Sequence, residues 1–163
     1  MTRIGLLSDT HSYIHPRVLK FFESCDEIWH AGDMGSVTIA EKLSELKSFK
    51  GVYGNIDGQD VRTVYPKNLR FICEDVDVWI THIGGYPGKY NPEIRNQLIS
   101  NPPKLFICGH SHILKVMFDK KLKMLHINPG AAGKYGLHHL ITAVRFSIEG
   151  NNIKDLEILE LER

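Results

Sequence analysis

Five apolar runs in this 163-residue chain end in side chains that can hold metal ions. "IGLLSDTH" delivers Asp9 and His11, and "EIWHAGD" delivers Asp33. "GVYGNID" delivers Asn55 and Asp57, "VWITHIGG" delivers His82, and "LFICGHSH" delivers His110 and His112. Imidazoles with carboxylates and one amide suit Mn²⁺, Fe, Zn²⁺, Co²⁺ or Ni²⁺. The histidines argue against a pure Ca²⁺ site, and no thiolate competes. Asp9, His11, Asp33, Asn55, His82, His110 and His112 outnumber the three protein ligands of a catalytic zinc. They fit two ions that share a bridging carboxylate. Paired ions are a common device for hydrolysing phosphate esters. Gly32, Gly54 and Gly109, beside the ligands, allow tight turns and close backbone approach.

Such ligands need strands and turns to carry them. "RIGLL" (Arg3–Leu7), "EIWHA" (Glu27–Ala31), "KGVYG" and "KLFIC" (Lys104–Cys108) read as short strands. "RVLKFFES" (Arg17–Ser24) reads as a helix with Pro16 in its first turn. "SVTIAEKLSELK" (Ser36–Lys47) reads as a helix capped by Ser36, with Val37, Ala40, Leu43 and Leu46 on one face. "NPEIRNQLIS" (Asn91–Ser100) is a helix that Pro102 and Pro103 forbid from continuing. Hairpins are expected around Glu74–Asp75, Lys120–Lys121 and "EGNN". Strand–helix units come first and hairpins dominate later, so the fold class is α/β bordering on α+β, with helices outside the sheet. In open sheets with parallel strands, ligands bind beyond the strands' carboxyl ends. The five strand ends could therefore meet in one crevice.

The bulk composition restricts the alternatives. The length suits one domain, residues 1–163, with a sizeable core. A net charge of +1 without a like-charge block argues against a dedicated nucleic-acid or membrane surface. Nucleic acid would enter only as substrate. The N-terminal apolar stretch is too short for a signal peptide, and no run has membrane-spanning length. Cys25, Cys73 and Cys108 are odd in number and lack a CxxC pair, which suits reduced thiols in the cytoplasm. A homo-oligomer is left open.

"DTH", "GD", "GNID", "H" and "GHSH", in that order, resemble the five blocks of the calcineurin-like metallophosphoesterase superfamily. "INPGAAG" (Ile127–Gly133) resembles a further segment of its small bacterial and archaeal phosphodiesterase branch. The resemblance implies a four-layer αββα sandwich of two mixed β-sheets flanked by helices. It implies that Asp9, His11 and His112 hold a first divalent ion, that Asp33 bridges, and that Asn55, His82 and His110 hold a second. Manganese is the first choice, with Ni, Fe, Co or Zn as alternatives. The activity implied is hydrolysis of a small phosphodiester by a hydroxide bridging two ions. Asp33, Asn55 and His82 would be the catalytic residues, with Asp57 as a weaker addition. The alternatives are a phosphomonoesterase, or a non-catalytic interaction scaffold like the superfamily's retromer subunit.

Three departures from the superfamily pattern matter. The protein phosphatases carry a general-acid histidine after the asparagine, where this chain has Ile56. They also carry an arginine after the bridging aspartate, where this chain reads "GDMGS". Monoesters carry more charge and gain more from such groups, so their absence tilts the reading towards diesters. A second histidine commonly stands two residues after the fourth-block histidine, where this chain has Gly84. Its loss would weaken the first-ion site or the leaving-group chemistry. Asp57 could position Asn55 or, with a raised pKa, donate a proton; the positioning role is favoured. His30 reads as a satisfied core histidine, His15 as a surface residue, and His126 receives no role. His138 and His139 are adjacent and would face opposite ways on a strand. "GGYPGKY" (Gly84–Tyr90) is a substrate-side loop or a connector.

Overall fold

The computed structural model describes residues 1–163. It contains two five-stranded mixed sheets. In chain order the strands are β1 (Thr2–Leu7), β2 (Glu27–His30), β3 (Ser48–Gly51), β4 (Asn68–Cys73), β5 (Val76–Thr81) and β6 (Gly85–Tyr86). They continue with β7 (Lys89–Tyr90), β8 (Leu105–Ile107), β9 (Leu114–Asp119), β10 (Met124–Pro129), β11 (Leu140–Glu149) and β12 (Asn152–Glu162). The helices are α1 (Pro16–Phe21), α2 (Val37–Leu46), α3 (Gln59–Arg62) and α4 (Pro92–Ser100). One sheet has the order β12-β11-β1-β2-β3 and the other β4-β5-β8-β10-β9. Within them β1, β2 and β3 run parallel, as do β5, β8 and β10.

Alternation along the strands builds the layers. Ile4 and Leu6 of β1 join Trp29, Val78, Ile80, Ile107, Ile127 and Val144 between the sheets. Leu7 and Ile28 point the other way, against Val18 and Phe22 near α1 and Ile39 and Leu43 of α2. On the far face of the second sheet, Trp79 and Phe106 pack against Ile94 and Leu98 of α4. The result is the four-layer αββα sandwich that the resemblance implied. No helix is long and apolar enough to cross a membrane.

The hairpins at Glu74–Asp75, near Lys120–Lys121 and near "EGNN" form as expected. Ser36 caps α2 through its side chain, which accepts the backbone N–H of Thr38. Leu46 does not join the buried face of that helix; Ile39 does, and Leu46 is half-exposed. "GGYPGKY" folds into the small β6–β7 hairpin. The short helix α3 was not foreseen.

The parallel strands matter most. β1, β2 and β3 in one sheet and β5 and β8 in the other lead into the five segments that carry the ligand candidates. The facing sheets bring these ends together at one edge of the sandwich.

Candidate metal centre

The site is built on tight turns. Five of the seven ligand candidates have left-handed backbone: Asp9 (φ 53°), His11 (45°), Asp33 (57°), His110 (71°) and His112 (61°). Asp and His tolerate this region better than most residues, yet such strain still costs about 1–3 kcal/mol each. It persists because neighbouring turns hold one another. The Asp9 amide donates to Gly32 O at 2.9 Å, the His11 amide to Asp33 O at 3.1 Å and the Ser12 amide to Met34 O at 2.7 Å. The first two ligand turns are thereby laced together.

His30 fastens the same turns from beneath. It is fully buried, and burial lowers its pKa to about 3, so the ring is neutral. Its Nδ1 accepts the Gly32 amide at 3.0 Å, leaving Nε2 to donate to Thr10 Oγ1 at 2.9 Å. Thr10 passes the chain on to Met34 O. The expected satisfied core histidine is thus a tie between "DTH" and "AGD".

Asp57 ties the third turn to the second. Its carboxylate accepts the backbone N–H groups of Met34, Gly35 and Gly54 at 3.2, 2.8 and 2.9 Å. The residue is buried, and both oxygens are engaged. Asp57 therefore positions the loop that carries Asn55, and the geometry offers no support for it as a proton donor. Arg62 reinforces this loop by donating to Asp57 O and Asn55 O. A Cβ at Gly54 would lie 2.0 Å from Asp33 Oδ1, so only glycine lets the two turns approach this closely.

All seven candidates meet at this edge. Asp9, His11 and His112 offer ligand atoms within 4.8 Å of one another, and so do Asp33, His82 and His110. Asn55 joins the second group: its Oδ1 accepts from His110 Nδ1 at 3.0 Å. Oδ2 of Asp33 lies 3.2 Å from His82 Nε2 and 3.6 Å from His11 Nε2, between the two clusters. Asp9 Oδ1 lies 3.2 Å from His112 Nε2 and 3.7 Å from His82 Nε2.

The buried donor atoms are orphans. Asp9 Oδ1, His11 Nε2 and His82 Nε2 have no hydrogen-bond partner, although buried polar atoms are normally paired. They all face the space between the clusters. His82 Nδ1 donates to Ala31 O at 2.8 Å, which leaves Nε2 as the atom turned inward. Carboxylates and imidazoles arranged in this way fit divalent transition metals.

The charge state follows from the same contacts. Burial alone would raise the Asp9 pKa, but the adjacent His112 and His82 imidazoles and the Ser8 hydroxyl outweigh it and keep the carboxylate ionised. Burial alone would lower the His82 pKa, but the adjacent Asp33 carboxylate and the charge of Asp9 raise it overall. Cys108, just before "GHSH", is no nucleophile, because burial pushes its thiol to about 12.

Gly84 has a steric explanation. A Cβ there would lie 2.7 Å from Cys108 Cβ and 2.8 Å from Phe106 Cζ. The chain after His82 packs directly on β8, and Asp9, His11 and His112 converge without a histidine at this position.

Several contributors carried weaker signals. Ser8 Oγ donates to Asp9 Oδ2 at 2.6 Å. Asn128, in "INPGAAG", donates to Gly109 O and Ser111 Oγ and so holds the "GHSH" turn. The next residues hold the "DTH" turn: the amides of Ala132 and Gly133 donate to Ser8 O and Asp9 O. His138, left without a role above, stands 3.2 Å from His112, Nδ1 to Nδ1. A cleft of about 600 Å³ opens beside Asn55 and His82, lined further by Ile83, Arg62 and Lys67.

Comparison with known proteins agrees with this geometry. Residues 2–151 match the family model of the calcineurin-like phosphoesterase superfamily domain. The chain is 31% identical over 135 residues to a probable metallophosphoesterase of Methanothermobacter thermautotrophicus, covering 78% of this chain and 76% of that protein. A structurally and functionally characterised archaeal phosphodiesterase has a similar fold, with a TM-score of 0.76, 23% identity and coverage of 98% and 99% of the two chains. Vps29 of Chaetomium thermophilum gives a TM-score of 0.76 at 13% identity, with both chains fully covered. Vps29 of Entamoeba histolytica, in complex with Zn²⁺, gives 0.75 at 12% identity, with 98% of each chain covered. These structural likenesses concern the fold, while the family match spans the ligand turns themselves. The chain belongs to the calcineurin-like phosphoesterase superfamily.

Proposed function

We propose that this chain is a dinuclear metal-dependent phosphodiesterase acting on a small diester. The observation that carries the reading is the convergence of orphaned, buried donor atoms from Asp9, His11 and His82 around Asp33. Two divalent ions bound there, manganese for preference, would lower the pKa of a water and offset charge on the phosphoryl oxygens. Asp9, His11 and His112 would hold one ion and Asn55, His82 and His110 the other, with Asp33 shared.

The chain's own residues define the remaining chemistry. Asn55 and His110 are solvent-exposed at the rim, where a phosphate oxygen can reach them. The cleft beside them receives one ester substituent. At about 600 Å³ it suits a small substituent, and it is within the usual range of ligand pockets. Lys67 in that cleft is paired with Glu93 at 3.3 Å, and Arg62 is engaged with backbone carbonyls. Both cations of the cleft thus already have partners, so neither is an unopposed charge built to meet the second charge of a monoester. That favours a diester, in agreement with Ile56 and "GDMGS". Free, buried cysteines suit a cytoplasmic setting.

A second reading is an interaction scaffold, favoured by the full-length likeness to Vps29 structures. The retention of all seven ligand positions supports the hydrolase instead. Turnover of aryl diesters and aryl monoesters with the same metal tests the proposal. Faster diester turnover is expected. Faster monoester turnover would replace it with a phosphomonoesterase, and no turnover with any metal would favour the scaffold.

A further inference from the structure

We propose that His138 is a positioning residue that selects the tautomer of His112, presenting Nε2 of that ligand to the first cluster. This rests on the reading of Asp9, His11 and His112 as one ion's ligands.

The assignment follows from donors and acceptors. His138 Nε2 lies 2.7 Å from the carbonyl of Gly133, which can only accept, so Nε2 carries a proton. In neutral His138, Nδ1 is then bare and must accept. Its partner is His112 Nδ1 at 3.2 Å, which must therefore carry a proton. That leaves Nε2 as the ligand atom of His112, and Nε2 is the atom that stands 3.2 Å from Asp9 Oδ1. Gly133 in turn donates its amide to Asp9 O at 3.1 Å. The path from Asp9 through Gly133, His138 and His112 returns to the Asp9 carboxylate as a closed ring of contacts.

The segment around His138 is held for this task. Arg163 donates to the carbonyls of Gly136 and His138 at 2.6 and 2.8 Å. Tyr135 lies over His11, with ring centroids 5.6 Å apart and planes inclined by 20°. Residues 134–138 thus form a strap over the two imidazoles of the first cluster. His139 is exposed and is not part of this chain of bonds. Partners of this kind commonly change metal affinity or activity by about 10–100-fold.

The test compares His138→Ala and His138→Asn with the wild type. The asparagine keeps an acceptor near the place of Nδ1. Nitrogen-resolved NMR of the metal-free protein at alkaline pH, where imidazoles are neutral, reads the His112 tautomer, with Asp9→Asn introduced into each protein for this measurement to remove the carboxylate that competes for a proton on Nε2. The wild type and His138→Asn should show the proton on Nδ1, and His138→Ala should lose that preference. Calorimetric titration with Mn²⁺ alone should show one of two sites weakened about 10–100-fold in His138→Ala and largely restored in His138→Asn. The same tautomer in His138→Ala, with both affinities unchanged, would overturn the inference. Absence of any Mn²⁺ binding by the wild type would overturn the metal reading instead, and the tautomer measurement would still decide the role of His138.

Discussion

Asp33 turns Oδ2 to within 3.2 Å of Nε2 of His82, a buried nitrogen with no hydrogen-bond partner. The pair joins the two sheets, because Asp33 follows β2 and His82 follows β5. With His82 protonated the two form an ion pair; with metal bound both would serve as ligands. This exchange makes ion binding dependent on pH. The raised His82 pKa means that the metal-free pairing stabilises the fold below the ordinary imidazole range and is lost as pH rises through the raised value. Binding of a metal requires neutral His82. Mn²⁺ affinity should therefore increase as pH rises through that range, as calorimetry at several pH values would show. An affinity independent of pH would contradict the assignment of His82 as a ligand.

Metal should also stabilise the fold. Each ion at 100 times its Kd adds about 2.7 kcal/mol. For a domain of this size that corresponds to roughly 5–10 °C in Tm. Thermal melts with Mn²⁺ and with chelator should differ by at least this amount in the wild type and by less in His112→Ala. Identical melts would contradict metal binding by the native state.

Asp57→Asn separates positioning from proton donation. The substitution weakens the carboxylate cap on Met34, Gly35 and Gly54. Activity should fall by a similar factor for aryl diesters with good and with poor leaving groups. A loss confined to poor leaving groups would instead identify Asp57 as the proton donor.

Gly84→Ala should destabilise the protein by about 1–3 kcal/mol, the usual range for overpacking. The new Cβ would collide with Cys108 and Phe106. Gly84→His should be worse, and restoring the superfamily's second histidine should not raise activity. Denaturant unfolding at equal metal occupancy measures the first effect. A neutral Gly84→Ala would contradict the steric account.

Two buried histidines should contribute to the loss of stability in acid. Burial lowers the pKa of His30 to about 3 and of His126 to about 4, from an ordinary 6.5. Both contributions are complete above about pH 6.5 and are lost as pH falls towards the depressed values. Neither ring nitrogen of His126 has a partner. His126→Leu should therefore be stabilising at neutral pH, by about 1–3 kcal/mol. It should also flatten the acid limb of a stability profile. A destabilised variant with an unchanged acid limb would refute this.

Much of the centre was legible because ligand chemistry stands out at the ends of apolar runs. Asp9, Asp33, His82 and His110 follow buried strands, so the strands announced the ligands. The layers were less legible: alternation marks a strand's faces but not which sheet covers them. The role of Gly84 lay outside the local sequence, since its reason is the packing of Phe106 and Cys108 from another strand. His138 was invisible for a similar cause. His138 and His139 lie just before β11 and not on a strand, and only His138 reaches His112, a fold contact 26 residues away. Leu46 is exposed because it is the last residue of α2, and apolar periodicity does not show where a helix stops covering the core.

Asp33 stands between the two clusters, so hydrolysis of an aryl phosphodiester under added Mn²⁺ should separate the wild type from Asp33→Asn. The wild type should show metal-dependent turnover. Asp33→Asn should turn over near background, with the fold retained by circular dichroism. Full activity in Asp33→Asn, or no turnover by a wild type loaded with two ions, would contradict the two-metal hydrolase.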